Sequence, residues 1–200
     1  MSRITNQPTE KMSDKSFRMM SLFFKIVDFF FPYIKKRLKK FGIKDGMIVV
    51  DYGCGPGRYT LPIAEMVGIK GKVHAVDIHE MALKKVQEKI RKSGIKNIET
   101  SLAKGNNDGE YNSGFPDNIA DIVCAIDMFF IIKRPPEFLS EIRRILKPDG
   151  ILIIDDGHQS RKETKQKIDR SGIFTIIEET KDHLKYKIAQ NKCGTAYKKS

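Results

Sequence analysis

The residues best equipped for chemistry fall in one short stretch, Asp51-Tyr52-Gly53-Cys54-Gly55-Pro56-Gly57-Arg58. A carboxylate is followed by three glycines at alternate positions. Glycine admits positive φ and lets a ligand come close to the main chain. The apolar run Met47 to Val50 before it reads as a strand buried on both faces, and Tyr59 to Val67 behind it has helical spacing. A helix start offers unpaired N–H groups and a positive dipole end. Strand, glycine loop and helix therefore make a nucleotide cradle. A dinucleotide fingerprint spaces its glycines G-x-G-x-x-G, whereas here the third glycine arrives one residue early. A second carboxylate, Asp77, ends the next apolar run, twenty residues past Gly57. At the carboxyl end of a neighbouring strand such a group can accept both ribose hydroxyls.

Two further titratable residues follow predicted strands: Asp127 after Ile119 to Ile126, and His158 after Ile151 to Ile154 and Asp155-Asp156-Gly157. Either could take a proton, and histidine titrates near neutral pH. Each also has a plainer reading, Asp127 as a loop-capping or cofactor-orienting carboxylate and His158 as a solvated loop residue. The three cysteines, 54, 124 and 193, have no metal-ligand spacing. Cys54 and Cys124 read as small buried residues, and no metal is expected.

The pattern Asp51-x-Gly53-x-Gly55-x-Gly57 resembles motif I of the class I S-adenosylmethionine-dependent methyltransferases. Asp77, the strand Asp121 to Asp127 and the phrase Leu146-Lys147-Pro148-Asp149-Gly150 also resemble that family, and the likeness spans residues 43 to 189. Within it, the chain is similar to small stand-alone members of the type 11 and quinone-biosynthesis groups. The resemblance implies S-adenosyl-L-methionine as cofactor and S-adenosyl-L-homocysteine as product. It implies that Asp51 meets the methionine ammonium, that Gly53, Gly55 and Gly57 pass beneath methionine and ribose, and that Asp77 binds the ribose. It brings Ile78, Ala103 and Ile126 to the same crevice. Many members carry an acid just after the third strand for the adenine. Here that place holds Ala103 and Lys104, and Asn106, Asp108 or a backbone carbonyl is left to substitute.

These residues need elements to hold them. Five strands alternating with helices, then an antiparallel hairpin over Phe174 to Glu179 and His183 to Ala189, predict an α/β, doubly wound, mostly parallel seven-stranded sheet. Lys147 to Gly150 reads as a turn. The expected organisation is an N-terminal helical lid over 1–42, a cofactor-binding domain over 43–189 and a tail over 190–200. Phe17 to Phe31 is apolar around most of a helix, with Arg18, Ser21, Lys25 and Asp28 as one polar stripe. Burial within the chain, a substrate pocket, a homodimer interface or peripheral contact with a lipid surface would each cover it. Tyr33 to Phe41 reads as a short basic helix, with Ile34, Leu38 and Phe41 inward and Lys35, Lys36, Arg37, Lys39 and Lys40 largely outward.

Two hundred residues with 40% hydrophobic and 31% charged content fit one ordinary globular domain. Net charge is +12 and uneven: residues 1–45 hold 11 basic against 4 acidic residues, 46–157 hold 15 against 16, and 158–200 hold 11 against 5. Basic flanks admit an acidic partner or simply solvated lysines. Asp127-Met128-Phe129-Phe130 lacks the prolines of base-flipping amino-methylating enzymes, which argues against nucleic acid. Phe129, Phe130, Ile131 and Ile132 instead predict an apolar wall and a small, at least partly apolar methyl acceptor, attacked by direct displacement. The other readings are an RNA or protein methyltransferase steered by the flanks and a non-catalytic binding module on the same fold. Sparse cysteines, no secretory signal and no membrane-length apolar run predict a cytoplasmic protein.

Overall fold

The computed structural model describes residues 13–19, 33–105 and 111–190. Most of the Phe- and Met-rich stretch expected to be helical, Asn106 and Asp108, and the expected tail from 191 lie outside them. The described helices are α1 (Tyr33–Leu38), α2 (Thr60–Val67), α3 (Glu80–Ser93), α4 (Pro135–Ile145) and α5 (Arg161–Asp169). Residues 14–19 are also helical. The strands are β1 (Ile48–Tyr52), β2 (Lys72–Asp77), β3 (Ile98–Leu102), β4 (Lys104–Gly105), β5 (Tyr111–Asn112), β6 (Ala120–Ala125), β7 (Leu146–Ile154), β8 (Phe174–Glu179) and β9 (Leu184–Ile188).

Seven strands form one sheet in the order β3-β2-β1-β6-β7-β9-β8, and β4 pairs with β5 apart from it. The first five positions are parallel, and β9 is antiparallel to both its neighbours. This is the doubly wound sheet expected from the sequence, with its closing hairpin. The order turns at β1, whose neighbours are β2 and β6, and in such sheets ligands bind at the carboxyl ends beside that switch.

Both faces of the sheet are covered, which is why the central strands are apolar throughout rather than alternating. Val49 joins a core with Leu38, Phe41, Ile63 and Val86, so α1, α2 and α3 lie on one side. Val50, the next residue, joins Phe138, Leu139, Ile142 and Ile168, so α4 and α5 lie on the other. Both valines are fully buried, each contributing about 1.5–3 kcal/mol by transfer from water.

Leu146 to Gly150 is not the free turn its chemistry suggests. Leu146 pairs with Ala120 and Ile151 with Ile122, so the residues between form an irregularity within β7. A Cβ on Gly150 would lie 2.7 Å from Leu146 Cδ2 and 3.0 Å from Ala120 O, so glycine there serves close packing.

Candidate functional site

The glycine loop curls over the carboxyl end of β2. Gly53 N–H and Cys54 N–H both donate to Val76 O, at 2.8 and 3.0 Å. Gly55 N–H donates to Asp77 Oδ2 at 2.8 Å, and His79 N–H donates to Asp77 Oδ1 at 2.8 Å. Asp77 therefore fixes the loop while each of its oxygens keeps a lone pair for a further donor. Burial raises its carboxyl pKa, with the Gly55 and His79 N–H groups acting in the opposite direction. Gly55 has φ +51, and the place of its absent Cβ is open space. Gly57 has φ +79, and a Cβ there would lie 3.0 Å from Val86 and 3.2 Å from Leu61. The two glycines thus differ in purpose, Gly55 leaving room above the loop and Gly57 letting it pack on α2 and α3.

Asp51 sits beneath the loop, 2% exposed, with its Oδ2 2.5 Å from the Thr60 hydroxyl. Burial pushes its carboxyl up to about 7, against the Thr60 hydrogen bond and reinforced by the charge of Asp77. The thiols of Cys54 and Cys124 are also pushed up by burial, which makes them poor nucleophiles.

Above the loop lies a cavity of about 590 Å³. It is lined by Gly53, Gly55, Asp77, Ile78 and Ile126 and by Met128, Phe130, Ile131 and Ile132, with Met128 seated against Gly53. The apolar wall is therefore present, with one correction: Phe129 is fully buried and packs toward Phe138 at 5.9 Å, while Met128 takes its place on the cavity. Phe129–Ile131 turn as a 3-10 segment between Met128 and Ile132, so facing positions do not follow the consecutive run. Phe17 also lines the cavity and stacks on His79, ring centroids 4.7 Å apart. The open room over Gly55, the paired N–H groups on Asp77 and this mixed lining fit a nucleoside cofactor with an apolar neighbour.

Asp127 and His158 both border this cavity. His158 meets the Phe130 ring edge-on at 4.9 Å. Asp127 also borders a polar side cavity of about 310 Å³, with Tyr33, Arg37, Arg58, Tyr59, Asp155 and others. Its Oδ2 accepts from the Tyr59 hydroxyl at 3.3 Å and lies 3.8 Å from Arg58 Nη1. Behind it, Arg37 Nη2 meets Asp155 Oδ2 at 2.6 Å, and Arg37 Nη1 donates to the Tyr59 oxygen at 2.7 Å. Burial and the charge of Asp127 push Asp155 up to about 6, against the pull of Arg37. Burial would lower the Arg37 pKa, but Tyr59 and Asp155 together raise it, so the guanidinium stays charged.

Of the residues expected from the sequence, Gly53, Gly55, Asp77, Ile78, Ile126, Asp127 and His158 line the main cavity; Asp51, Gly57 and Ala103 do not. Ala103 is buried, and its N–H donates to Asp77 O at 3.0 Å. Arg37 corrects the reading of α1: it is 6% exposed and turned inward, while Lys35, Lys36, Lys39 and Lys40 stay exposed. Tyr59, His79 and Tyr111 join the site without having been singled out. His79 had a signal, since it follows Asp77-Ile78 at the end of β2. Tyr59 and Arg37 had none, because their partners lie 68 and 118 residues away.

A family profile described as "Methyltransferase domain" matches residues 43–195. A demethylmenaquinone methyltransferase of Anoxybacillus flavithermus is 30% identical over 149 residues, 72% of this chain and 58% of that one. Another, of Geobacillus stearothermophilus, is 31% identical over 122 residues, 60% of this chain and 49% of that one. The chain thus spans about half the length of the curated relatives it matches. Among solved structures, a SAM dependent methyltransferase from Aquifex aeolicus has a TM-score of 0.70 at 30% identity, covering 78% of this chain and 89% of that one. A putative S-adenosyl-L-methionine-dependent methyltransferase from Methanococcus maripaludis, at 18% identity and a TM-score of 0.68 over 95% and 98% of the two chains, shares the fold.

Proposed function

The chain belongs to the methyltransferase domain family, with S-adenosylmethionine as cofactor, and on that premise we propose that it transfers the methyl group to a small, partly apolar acceptor by direct displacement. The observation that carries the acceptor half is a single cavity running from the Gly55 and Asp77 cradle to the wall of Met128, Phe130, Ile131 and Ile132. Bound there, the cofactor's sulfonium supplies an electrophilic methyl group. The chain contributes binding and alignment. Asp77 accepts from the ribose hydroxyls, Gly55 leaves the main chain approachable, Gly53 lets Met128 pack against the loop, and Ile78 and Ile126 give apolar surface to the nucleoside. Asp51, Gly57 and Ala103 act from beneath by holding the loop and the end of β2.

Asp127 and His158 stand where the cradle meets the wall, and either can take a proton from an acceptor that must lose one. The Asp127 side chain is 42% exposed, which leaves it reachable. The relatives named demethylmenaquinone methyltransferase support an acceptor of quinone type. Phe17, seated on His79 at the cavity, supports residues 1–42 as a lid over a domain spanning 43–189.

Isothermal calorimetry with S-adenosylhomocysteine tests the reading. The wild type is expected to bind and Gly55→Val to lose binding, because the new side chain fills the room above the loop. A wild type that binds neither S-adenosylhomocysteine nor S-adenosylmethionine ends the proposal.

A further inference from the structure

The polar side cavity is bordered by a chain of contacts separate from those that fix the glycine loop. β6 and β7 run parallel with Ala125 opposite Ile154, so Asp127 and Asp155 leave the sheet side by side. Asp127 has φ +57, a left-handed conformation that residues other than glycine seldom adopt. Its N–H donates to Asp155 Oδ1 at 2.8 Å, and the other oxygen of that carboxylate is held by Arg37 Nη2 at 2.6 Å. The same Arg37 nitrogen donates to Asp182 O at 2.7 Å. Arg37 Nη1 donates to the Tyr59 oxygen, and the Tyr59 hydroxyl donates to Asp127 Oδ2. Asp127 is therefore gripped twice, at its backbone and at its carboxylate, and both grips lead back to one guanidinium. The rigid fork of Arg37 serves three partners from two separated nitrogens, a spacing that the compact ammonium of a lysine does not reproduce.

We infer that Arg37 is a positioning residue: acting through Asp155 and Tyr59, it holds Asp127 in the left-handed conformation that turns its carboxylate to the junction of the two cavities. The inference rests on Asp127 belonging to the site proposed above, but its contacts do not depend on methyl transfer. The groups that face Asp155 are Arg37 from α1, Asp127 from the end of β6 and, through Arg37, Tyr59 just before α2; Tyr33, Arg58, Asp156, Lys181 and Asp182 border the same cavity.

The test is nuclear magnetic resonance of the ligand-free chain, following the Asp127 amide and the Asp155 carboxyl carbon through a pH titration. In the wild type the Asp127 amide proton is expected to shift in step with Asp155, since its acceptor changes charge. In Arg37→Gln the Asp155 step moves up by a pH unit or more, and Asp127 amide exchange quickens at least tenfold. Arg37→Lys restores part of both effects. Lys36→Gln, an exposed neighbour on α1, changes neither. A purely structural Arg37 would lower the melting temperature yet leave the Asp127 amide shift and exchange as in the wild type, and that result overturns the inference. If Arg37→Gln does not fold, Arg37→Lys decides: a partial shift supports the inference and a wild-type amide refutes it. Calorimetry of the wild type with S-adenosylhomocysteine judges the functional reading separately.

Discussion

Asp77 and Asp51 are both buried carboxylates near the same loop, and their surroundings give them different tasks. Asp77 faces the cavity and holds two backbone N–H groups. Asp77→Asn keeps its size but turns one acceptor into a donor toward those groups and toward the ribose proposed to lie against it. Hydrogen bonds to a charged group are worth about 1.5–3 kcal/mol, so S-adenosylhomocysteine affinity should fall about 10- to 100-fold by calorimetry. Asp51 faces no cavity and is titrated by its burial. Its folded-state pKa lies near 7 against an ordinary 3.8, so the folded chain keeps a proton that the unfolded chain releases. That contribution is fully present below the ordinary value and lost as pH rises through about 7. Asp51→Asn removes the titrating group. Thermal melts at pH 5 and pH 8 should show a smaller fall in melting temperature for the variant than for the wild type, and an equal fall would refute this account.

The elements that carry the site were legible in proportion to how local their signals are. β1, the glycine loop and the start of α2 follow from consecutive residues, since a β-branched run, alternate glycines and a helical period all act within a few positions. Helix α3 likewise ends at Gly94, which has φ +70. Three details were not legible. Arg37 lies in a basic helix whose outward face is correct for its neighbours, but Asp155 supplies a buried partner across the chain. Phe129 belongs to a 3-10 turn whose period no four-residue apolar run reveals. Leu146 to Gly150 has turn residues, yet pairing with β6 draws it into the sheet. Loop packing gives an element-scale prediction. Gly57→Ala meets Val86 and Leu61 at a positive φ, so it should destabilise the protein by about 1–3 kcal/mol. Urea unfolding would measure this, and an unchanged midpoint would show that α3 yields to the extra methyl group.

At the scale of the whole molecule, the basic excess of the N-terminal flank is partly matched by the domain. Lys35 reaches Glu65 at 3.3 Å and Lys40 reaches Asp182 at 2.9 Å. Composition could show the excess but not these pairings. Among the described residues, no helix is long and apolar enough to cross a membrane. Phe17 and His79 join the N-terminal segment to the main cavity, so if the proposed cofactor site is correct a chain starting at residue 33 should keep its far-ultraviolet helix and strand signal while binding S-adenosylhomocysteine several-fold more weakly. Equal affinity would detach that segment from the site. The sheet order also bears on how the protein is synthesised. β8 is made before β9, yet β9 takes the place beside β7 and β8 the place outside it. On the ribosome, β7 must therefore wait with an open edge while α5 and β8 emerge. The nucleotide cradle can assemble from earlier-made strands, but Asp182, which helps seat Arg37, arrives only with the last hairpin. Synthesis order thus leaves Arg37 without its Asp182 carbonyl partner until the chain beyond β8 has been made, so the seating of Arg37 is completed last.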